Sequence, residues 1–200
     1  MTITPSISAY IASVADLPNM PWTLERYHAA IEAGVLTEYD KVELLFGKLV
    51  PTSPVGVVHR KTVDAIVDLL KERFPKDKYL VSGQNPVTLP DNSEPEPDIS
   101  LSLGTNKTIQ GHPTPAELLL VIEVSDTTLS KDRNAKLLAY AQAGIPEYWI
   151  INVFGRQLKR HTQPNKAKGT YEAAETYRPG QHFVSPSLGS YQVDDLLWLE

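Results

Sequence analysis

The chain has 200 residues, of which 42% are hydrophobic and 22% charged, a composition that excludes a disordered or fibrous protein. This length suffices to bury a continuous core without disulfides or a structural metal, so we expect one domain. Cysteine is absent, which excludes disulfides, thiolate metal sites and a cysteine nucleophile, and fits a reducing compartment such as the cytoplasm. Nineteen basic residues against 24 acidic ones give a net charge of -5, which argues against a broad basic surface that grips nucleic acid.

The amino-terminal segment, residues 1–21, is expected to be a loosely held arm ahead of a single domain over residues 22–200. It contains no basic stretch followed by an apolar core and no sustained apolar run, so it predicts neither a signal peptide nor a membrane span. A short amphipathic helix is predicted over 23–33, because apolar residues recur there at helical spacing, Thr23 suits the start and Gly34 suits a left-handed stop.

A hairpin and a long helix are predicted next. Two short β-prone runs, 42–46 and 48–52, flank Gly47 and place Glu43 on the first strand of the hairpin. Apolar residues then follow the spacing of one helical face, which predicts a helix over about 57–73.

The following segment leads to the first candidate site residue, Asp98. Strand pieces are predicted at 79–82 and 86–89, and the polar, proline-rich stretch 90–97 cannot be regular structure. Residues 99–103 alternate apolar side chains with serine, which predicts a half-buried strand.

A nearly continuous apolar run over 118–124 is typical of a central strand covered on both faces, and Glu123 lies inside it. A helix over 130–143 and a second buried strand over 147–153 follow, an order that predicts a βαβ unit with a right-handed crossover. Shorter strands are expected in the remainder, at 157–162, 171–177 and 191–193.

Glu123 is the most informative single residue, because a carboxylate inside an apolar strand costs several kcal/mol of desolvation unless a cation or hydrogen bonds compensate. The alternative is a strand-end glutamate that faces solvent or pairs with a lysine. Asp98 favours the first interpretation, since the loop between the two residues is long enough for their strands to lie side by side. Two carboxylates at adjacent strand ends can share a magnesium ion, which prefers oxygen ligands and usually keeps several waters.

Lys136 is the candidate for a catalytic cation. It lies on the predicted helix after Glu123, about one turn beyond Asp132, where an ammonium could orient the attacking water or stabilise the charge that develops at phosphorus. A solvated lysine on a helix surface is the alternative. Lys131 competes with Lys136 for the same role.

A series of motifs extends over roughly residues 22–160. In chain order they are Val42-Glu-Leu-Leu-Phe-Gly-Lys-Leu-Val50, Ser53-Pro54 leading to His59, Pro97-Asp98, Val121-Ile-Glu-Val-Ser-Asp-Thr-Thr128, Asp132, Lys136, Tyr140 and Ala143-Gly-Ile-Pro-Glu-Tyr-Trp-Ile-Ile151. The block from Ile122 to Trp149 is the most specific. Together these motifs resemble the Uma-two-type restriction endonuclease family, also called domain of unknown function 820.

This resemblance implies an α/β (α+β) fold of the PD-(D/E)XK nuclease type, in which a restriction-endonuclease-like mixed β-sheet is flanked by helices in a single domain. It implies that Asp98 and Glu123 are the metal-binding carboxylates and that Glu43 is a third acidic member. In the fullest pattern of that superfamily a lysine stands two residues after the glutamate. Ser125 occupies that position here, so the resemblance implies that Lys136 has taken over the lysine's role.

Histidines offer one further candidate. His59 matches a recurring histidine of the family, which makes it a candidate for binding phosphate or a metal-bound water; a structural histidine that donates to a backbone carbonyl is the alternative. The five histidines show no paired spacing, which disfavours a zinc hydrolase.

The sequence also has no glycine-rich phosphate loop, GxSxG elbow or dinucleotide fingerprint. Tyr148 and Trp149, in a buried strand, are expected to be core residues.

The leading hypothesis is a magnesium- or manganese-dependent endonuclease acting on DNA, in which Glu43, Asp98 and Glu123 bind the ion and Lys136 assists. Cutting both strands requires two centres, so a homodimer is expected. The acidic net charge keeps open a non-catalytic module of the same fold that binds a protein or nucleic-acid partner, although a bound cation would restore a local positive field. A sugar-cleaving enzyme is a third interpretation, disfavoured because no aromatic platform surrounds the acidic pair.

Overall fold

A computed structural model describes residues 20–52, 54–125 and 131–197, with residues 131–133 described in the backbone only. Within these ranges the helices are α1 (Leu24–Glu32), α2 (Val57–Arg73) and α3 (Lys131–Ala143). The strands are β1 (Val42–Leu45), β2 (Lys48–Pro51), β3 (Tyr79–Gly83), β4 (Ile99–Leu103), β5 (Leu118–Ser125), β6 (Glu147–Asn152), β7 (Gln157–Asn165), β8 (Thr170–Tyr177), β9 (His182–Ser185) and β10 (Gly189–Gln192), and a 3-10 turn covers Val193–Asp195.

Strands β3 to β8 form a mixed six-stranded sheet in sequence order, β3-β4-β5-β6-β7-β8. Among the described strands, only β5 and β6 pair in parallel, and helix α3 connects them, as the predicted strand-helix-strand order requires. The hairpins β1-β2 and β9-β10 stand outside this sheet. The expected single-domain fold, a mixed sheet flanked by helices, is therefore confirmed.

Strand β5 lies at the centre and is covered on both faces. Leu120 and Ile122 pack in one hydrophobic cluster with residues of α2, such as Ile66. Val121 packs in a second cluster with Tyr140 of α3. Because successive side chains of a strand point to opposite faces, Glu123 is expected on the face of Val121, towards α3. The continuous apolar run thus indicated the right strand, and its alternation directs Glu123 to one particular helix.

Several predicted elements match the structure closely. Helix α2 begins and ends at the predicted residues, and α1 is capped by the Thr23 hydroxyl, which accepts a hydrogen bond from the backbone N–H of Arg26 at 3.2 Å. Gly34 has a φ of +69°, the left-handed conformation that favours glycine at a helix end. The hairpin turns through Phe46 and Gly47, at φ of +50° and +71°, which leaves Glu43 on β1 as predicted.

Strand β4 differs from the expectation of a half-buried strand. It has the predicted bounds, but Ser100 and Ser102 are as buried as Ile99 and Leu101. Serine is small, so its alternation with larger apolar residues reflects a difference in volume rather than a face turned to water. The prediction of one solvent-facing side was wrong.

The strand predicted at 86–89 is also wrong, because the segment forms only an isolated bridge between Leu89 and Ser93. The backbone N–H of Val87 donates instead to the Pro95 carbonyl at 3.0 Å. Prolines at 86 and 90 have no N–H and cannot support a ladder there. In the carboxyl-terminal part, β9 was not predicted. Of the strand expected at 191–193, the first two residues end β10 and Val193 begins the 3-10 turn.

Other predictions fall outside the described residues. They include the amino-terminal arm up to residue 19 and Ser130, the predicted first residue of α3. The domain boundary at residue 22 stays a prediction. Among the helices that the structure describes, none is long and apolar enough to cross a membrane.

Candidate active site

Asp98 and Glu123 lie opposite each other at the end of the β4-β5 pair. Ile99, the first residue of β4, pairs with Ile122 in the antiparallel ladder, so Asp98 and Glu123 are the next residues on either strand. The backbone N–H of Val124 donates to Oδ2 of Asp98 at 2.7 Å, which joins the two strands beyond the last ladder pair. The two carboxylate side chains are only 14% and 12% exposed.

Helix α3 presents two polar side chains to Glu123. The Nζ of Lys136 lies 3.2 Å from Oε1 of Glu123, and the hydroxyl of Tyr140 donates to the same oxygen at 3.0 Å. Residues four apart lie on one face of a helix, so the register of α3 brings both groups to one carboxylate. Lys136, predicted to take the role of the lysine that is missing at position 125, is therefore in contact with Glu123.

Glu43 approaches the same lysine from the hairpin. Its carboxylate, on a residue 3% exposed, has Oε2 at 3.1 Å from Nζ of Lys136, and the same oxygen accepts the backbone N–H of Glu96 at 3.0 Å. Lys136 also donates to the Glu96 carbonyl at 3.3 Å. The ammonium thus has three acceptors for its three protons, provided by Glu43, Glu123 and the Glu96 backbone.

His59 contacts Asp98. It lies in the first turn of α2, and its Nε2 is 3.0 Å from Oδ2 of Asp98. With the proton on Nε2, the imidazole donates to the carboxylate and fixes its orientation. A role for His59 in binding phosphate or a metal-bound water stays a prediction.

The electrostatics of the site separate the roles of Glu123 and Lys136. Burial raises the pKa of Glu123 to about 7, with a further rise from the charges of Asp98 and Glu43 and an opposing effect from Lys136. Burial lowers the pKa of Lys136, but the carboxylates of Glu123 and Glu43 more than offset this and hold it above its ordinary value. Lys136 is therefore an ammonium ion at neutral pH, whereas Glu123 can exchange its proton with solvent.

The donor chemistry of the pair fits a hard divalent cation. Among the described residues, Oδ1 of Asp98 and Oε2 of Glu123 accept no hydrogen bond, so each carboxylate keeps an oxygen that could bind an ion. In the same ranges no three histidine or acidic side chains are grouped closely enough to hold a metal together. Magnesium is usually bound by one or two carboxylates and several waters, so two protein ligands suffice.

Sequence reasoning gave no role to two residues at this site. Tyr140 was part of the recognised motifs, and its spacing of one turn from Lys136 was the signal that could have placed it near Glu123. Glu96 contributes its backbone, which carries no signal in the side-chain pattern. Lys131, the competing lysine, has its side chain outside the described residues.

The site lies on a mixed sheet flanked by helices, with acidic residues at the ends of two adjacent strands. The model of the family Uma2, described as "Putative restriction endonuclease", matches residues 24–194, and the chain belongs to this family. Family membership supports a nuclease function.

A solved structure supports the fold independently. It is described as "a putative nuclease belonging to DUF820" from Anabaena variabilis, and it superposes with a TM-score of 0.67 at 16% sequence identity. The match covers 88% of this chain and 97% of that one. Among curated proteins, no sequence matches the chain.

Proposed function

We propose that this protein is a divalent-metal-dependent endonuclease that hydrolyses phosphodiester bonds in DNA. The observation that carries the proposal is the Asp98-Glu123 pair, two partly accessible carboxylates at opposite positions of adjacent strands, with the ammonium of Lys136 in contact with Glu123. Membership of a restriction endonuclease family supports the same reaction class.

Asp98 and Glu123 would hold magnesium or manganese, with water molecules as the remaining ligands. When bound, such an ion supplies a Lewis acid for the phosphate and lowers the pKa of a coordinated water. Glu43, predicted as a third ligand, makes contacts with Lys136 and the Glu96 backbone that support a different role.

The surrounding residues hold the two carboxylates in place. His59 and the Val124 N–H both donate to Asp98, and Tyr140 and Lys136 both donate to Glu123. Such partners fix the orientation of metal ligands and usually affect affinity or activity strongly. We therefore assign His59 the role of orienting Asp98 through this contact.

Lys136 acts as a fixed cation rather than as a base. The negative charges of Glu123 and Glu43 keep it protonated, so it cannot accept a proton from water at neutral pH. A buried ammonium next to the carboxylate pair can stabilise the negative charge that develops on the phosphate oxygens. Its role is therefore electrostatic.

We further propose a homodimer, because two centres are needed to cut both strands, and a cytoplasmic setting, which the absence of cysteine fits. The net charge of -5 makes weak, salt-sensitive binding to DNA the expectation.

One observation favours a second candidate, a non-catalytic module of the same fold. The Lys136 ammonium already neutralises part of the acidic cluster through Glu43 and Glu123, so the cluster does not require a metal for charge balance. A module of this kind would bind a protein or nucleic-acid partner without cleaving it.

Nicking of supercoiled plasmid in the presence of Mn²⁺ separates the two candidates. The parent protein should nick the plasmid, and Asp98→Asn should not. Asp68→Asn, a matched change at an exposed position of α2, should nick like the parent. Absence of nicking by the parent, or equal nicking by Asp98→Asn, would overturn the enzyme proposal.

A further inference from the structure

Glu43 is a buried carboxylate that protein groups pair and hydrogen-bond. Its Oε2 receives the Lys136 ammonium at 3.1 Å and the Glu96 N–H at 3.0 Å. A buried carboxylate must be paired and hydrogen-bonded to offset its desolvation. Both requirements are met here without a metal ion.

Glu43 also stands on a different structural element from the metal pair. It belongs to the hairpin β1-β2, whereas Asp98 and Glu123 lie at the end of two strands of the six-stranded sheet. Lys136 lies between these elements, since its ammonium contacts both Glu43 and Glu123. The described residues contain no group of three acidic or histidine side chains that could share an ion.

The position of the ammonium depends on three acceptors. Glu43 on the hairpin, the Glu96 carbonyl in the segment before β4 and Glu123 on β5 each contact Nζ. Lysine has a long, flexible side chain, so an ammonium held by only one carboxylate would adopt several positions. Glu43 and the Glu96 carbonyl together hold it beside Oε1 of Glu123.

We infer that Glu43 is a positioning residue that holds the Lys136 ammonium beside Glu123 and does not bind the metal. The inference rests on the proposed nuclease function and departs from the ligand role that the family resemblance implies for Glu43. Glu43 acts on the reaction only through Lys136, and Asp98 and Glu123 are the protein ligands of the metal.

Calorimetric titration with Mn²⁺ alone tests the first half of the inference and needs no nuclease activity. Glu43→Gln keeps an oxygen that can accept the Glu96 N–H, and it should change the dissociation constant of Mn²⁺ by less than about threefold. Glu123→Gln should weaken binding by about tenfold or more. Glu72→Gln, at an exposed position of α2, serves as the matched control. A loss in Glu43→Gln as large as that in Glu123→Gln would overturn the inference.

A double-mutant cycle of plasmid nicking tests the second half. Glu43→Gln should lower kcat by about 10- to 100-fold with KM nearly unchanged, as expected for a group that acts on the transition state through a neighbour. Lys136→Met should lower kcat at least as much. Adding Glu43→Gln to Lys136→Met should cause no further loss, because the residue on which Glu43 acts is already gone. Additive losses would contradict a role through Lys136. They are the result expected if Glu43 had a merely structural role.

The double variant keeps the inference testable if one of the single variants fails to fold. In the double variant Glu43→Gln with Lys136→Met, residue 43 is neutral, so loss of the ammonium leaves no unpaired charge at that position. Its Mn²⁺ affinity should equal that of Lys136→Met, and a weaker affinity would show that Glu43 is a ligand. If the parent protein binds Mn²⁺ but never cleaves DNA, the proposed function falls while these titrations still decide the role of Glu43.

Discussion

Tyr140 donates its hydroxyl hydrogen bond to Oε1 of Glu123 over 3.0 Å, one helical turn beyond Lys136, whose ammonium contacts the same oxygen. One face of α3 therefore controls the charge of one carboxylate. The hydrogen bond and the ammonium both lower the pKa of Glu123, against the larger effect of burial.

Tyr140→Phe should raise the pKa of Glu123, because it removes a hydrogen bond to the ionised form and keeps the packing of the ring. We expect the acidic limb of the pH-rate profile for plasmid nicking to move to higher pH, with kcat at neutral pH reduced about tenfold. Tyr39→Phe, which alters a highly exposed tyrosine, is the control. An unchanged pH profile in Tyr140→Phe would show that the hydroxyl does not tune Glu123.

Metal affinity should depend on pH through Glu123. Its pKa of about 7 means that a proton must leave the carboxylate before it binds an ion below that pH. Mn²⁺ affinity should rise by up to about tenfold per pH unit as pH approaches 7 from below, and then level off. Calorimetry in buffers of different ionisation enthalpy should detect proton release at pH 6. No proton release at that pH would argue against Glu123 as a ligand.

The same pKa shift has a consequence for stability. The folded protein holds the proton on Glu123 more tightly than the unfolded chain, whose reference pKa is 4.5. The contribution of Glu123 to stability is therefore complete below about pH 4.5 and is lost as pH rises through about 7. In the metal-free protein, Glu123→Gln should reduce this part of the pH dependence of the unfolding free energy. If the unfolding free energy of Glu123→Gln kept the same slope against pH between these values as that of the parent, the raised pKa assigned to Glu123 would be contradicted.

His59→Ala should weaken Mn²⁺ binding about tenfold, because it removes the side-chain donor that orients Asp98. His182→Ala, at an exposed position of β9, should leave the affinity unchanged. Calorimetric titration measures both variants. Equal affinities for His59→Ala and the parent protein would show that the backbone N–H of Val124 orients Asp98 without help from the imidazole.

A second buried carboxylate, Glu147, should affect stability without affecting the metal pair. It accepts hydrogen bonds from Trp149 at 2.9 Å and from Nε of Arg160 at 3.0 Å, and it also contacts the hydroxyl of Ser185 on β9. Removal of one partner from a buried pair costs about 3 to 5 kcal/mol. Glu147→Gln should lower the unfolding free energy by about that amount in urea denaturation.

Matched measurements separate this structural role from the active site. Glu172→Gln, at a largely exposed position, should cost far less stability than Glu147→Gln. The Mn²⁺ affinity of Glu147→Gln should equal that of the parent under conditions where both are folded. A change in affinity without a change in stability would contradict a purely structural role.

The sequence predicted those features that one strand or one helix determines by itself. The apolar run around Glu123 identified the central strand, and the helical spacing from residue 57 to 73 identified α2. The proximity of Asp98 and Glu123 followed from the loop that joins their strands. In each case the pattern is local, and burial follows from it directly.

Features that depend on contacts between distant segments could not be predicted in this way. The pairing of Lys136 with Glu43 joins α3 to the hairpin, and the Glu96 backbone takes part without any side-chain signal. Burial of Ser100 depends on what covers that face of the sheet, which local alternation does not encode. For the same reason His59 could be recognised by motif but not assigned to Asp98 as its partner.

The most direct test of the account is an anomalous-scattering map of crystals soaked in Mn²⁺. We predict one strong peak at coordination distance from a carboxylate oxygen of Asp98 and one of Glu123, about 2.0 to 2.2 Å from each. The peak should lie outside coordination distance of Glu43, whose carboxylate should remain on the Lys136 ammonium. A peak elsewhere, or none at millimolar Mn²⁺, would contradict the assignment of this pair as the metal-binding centre.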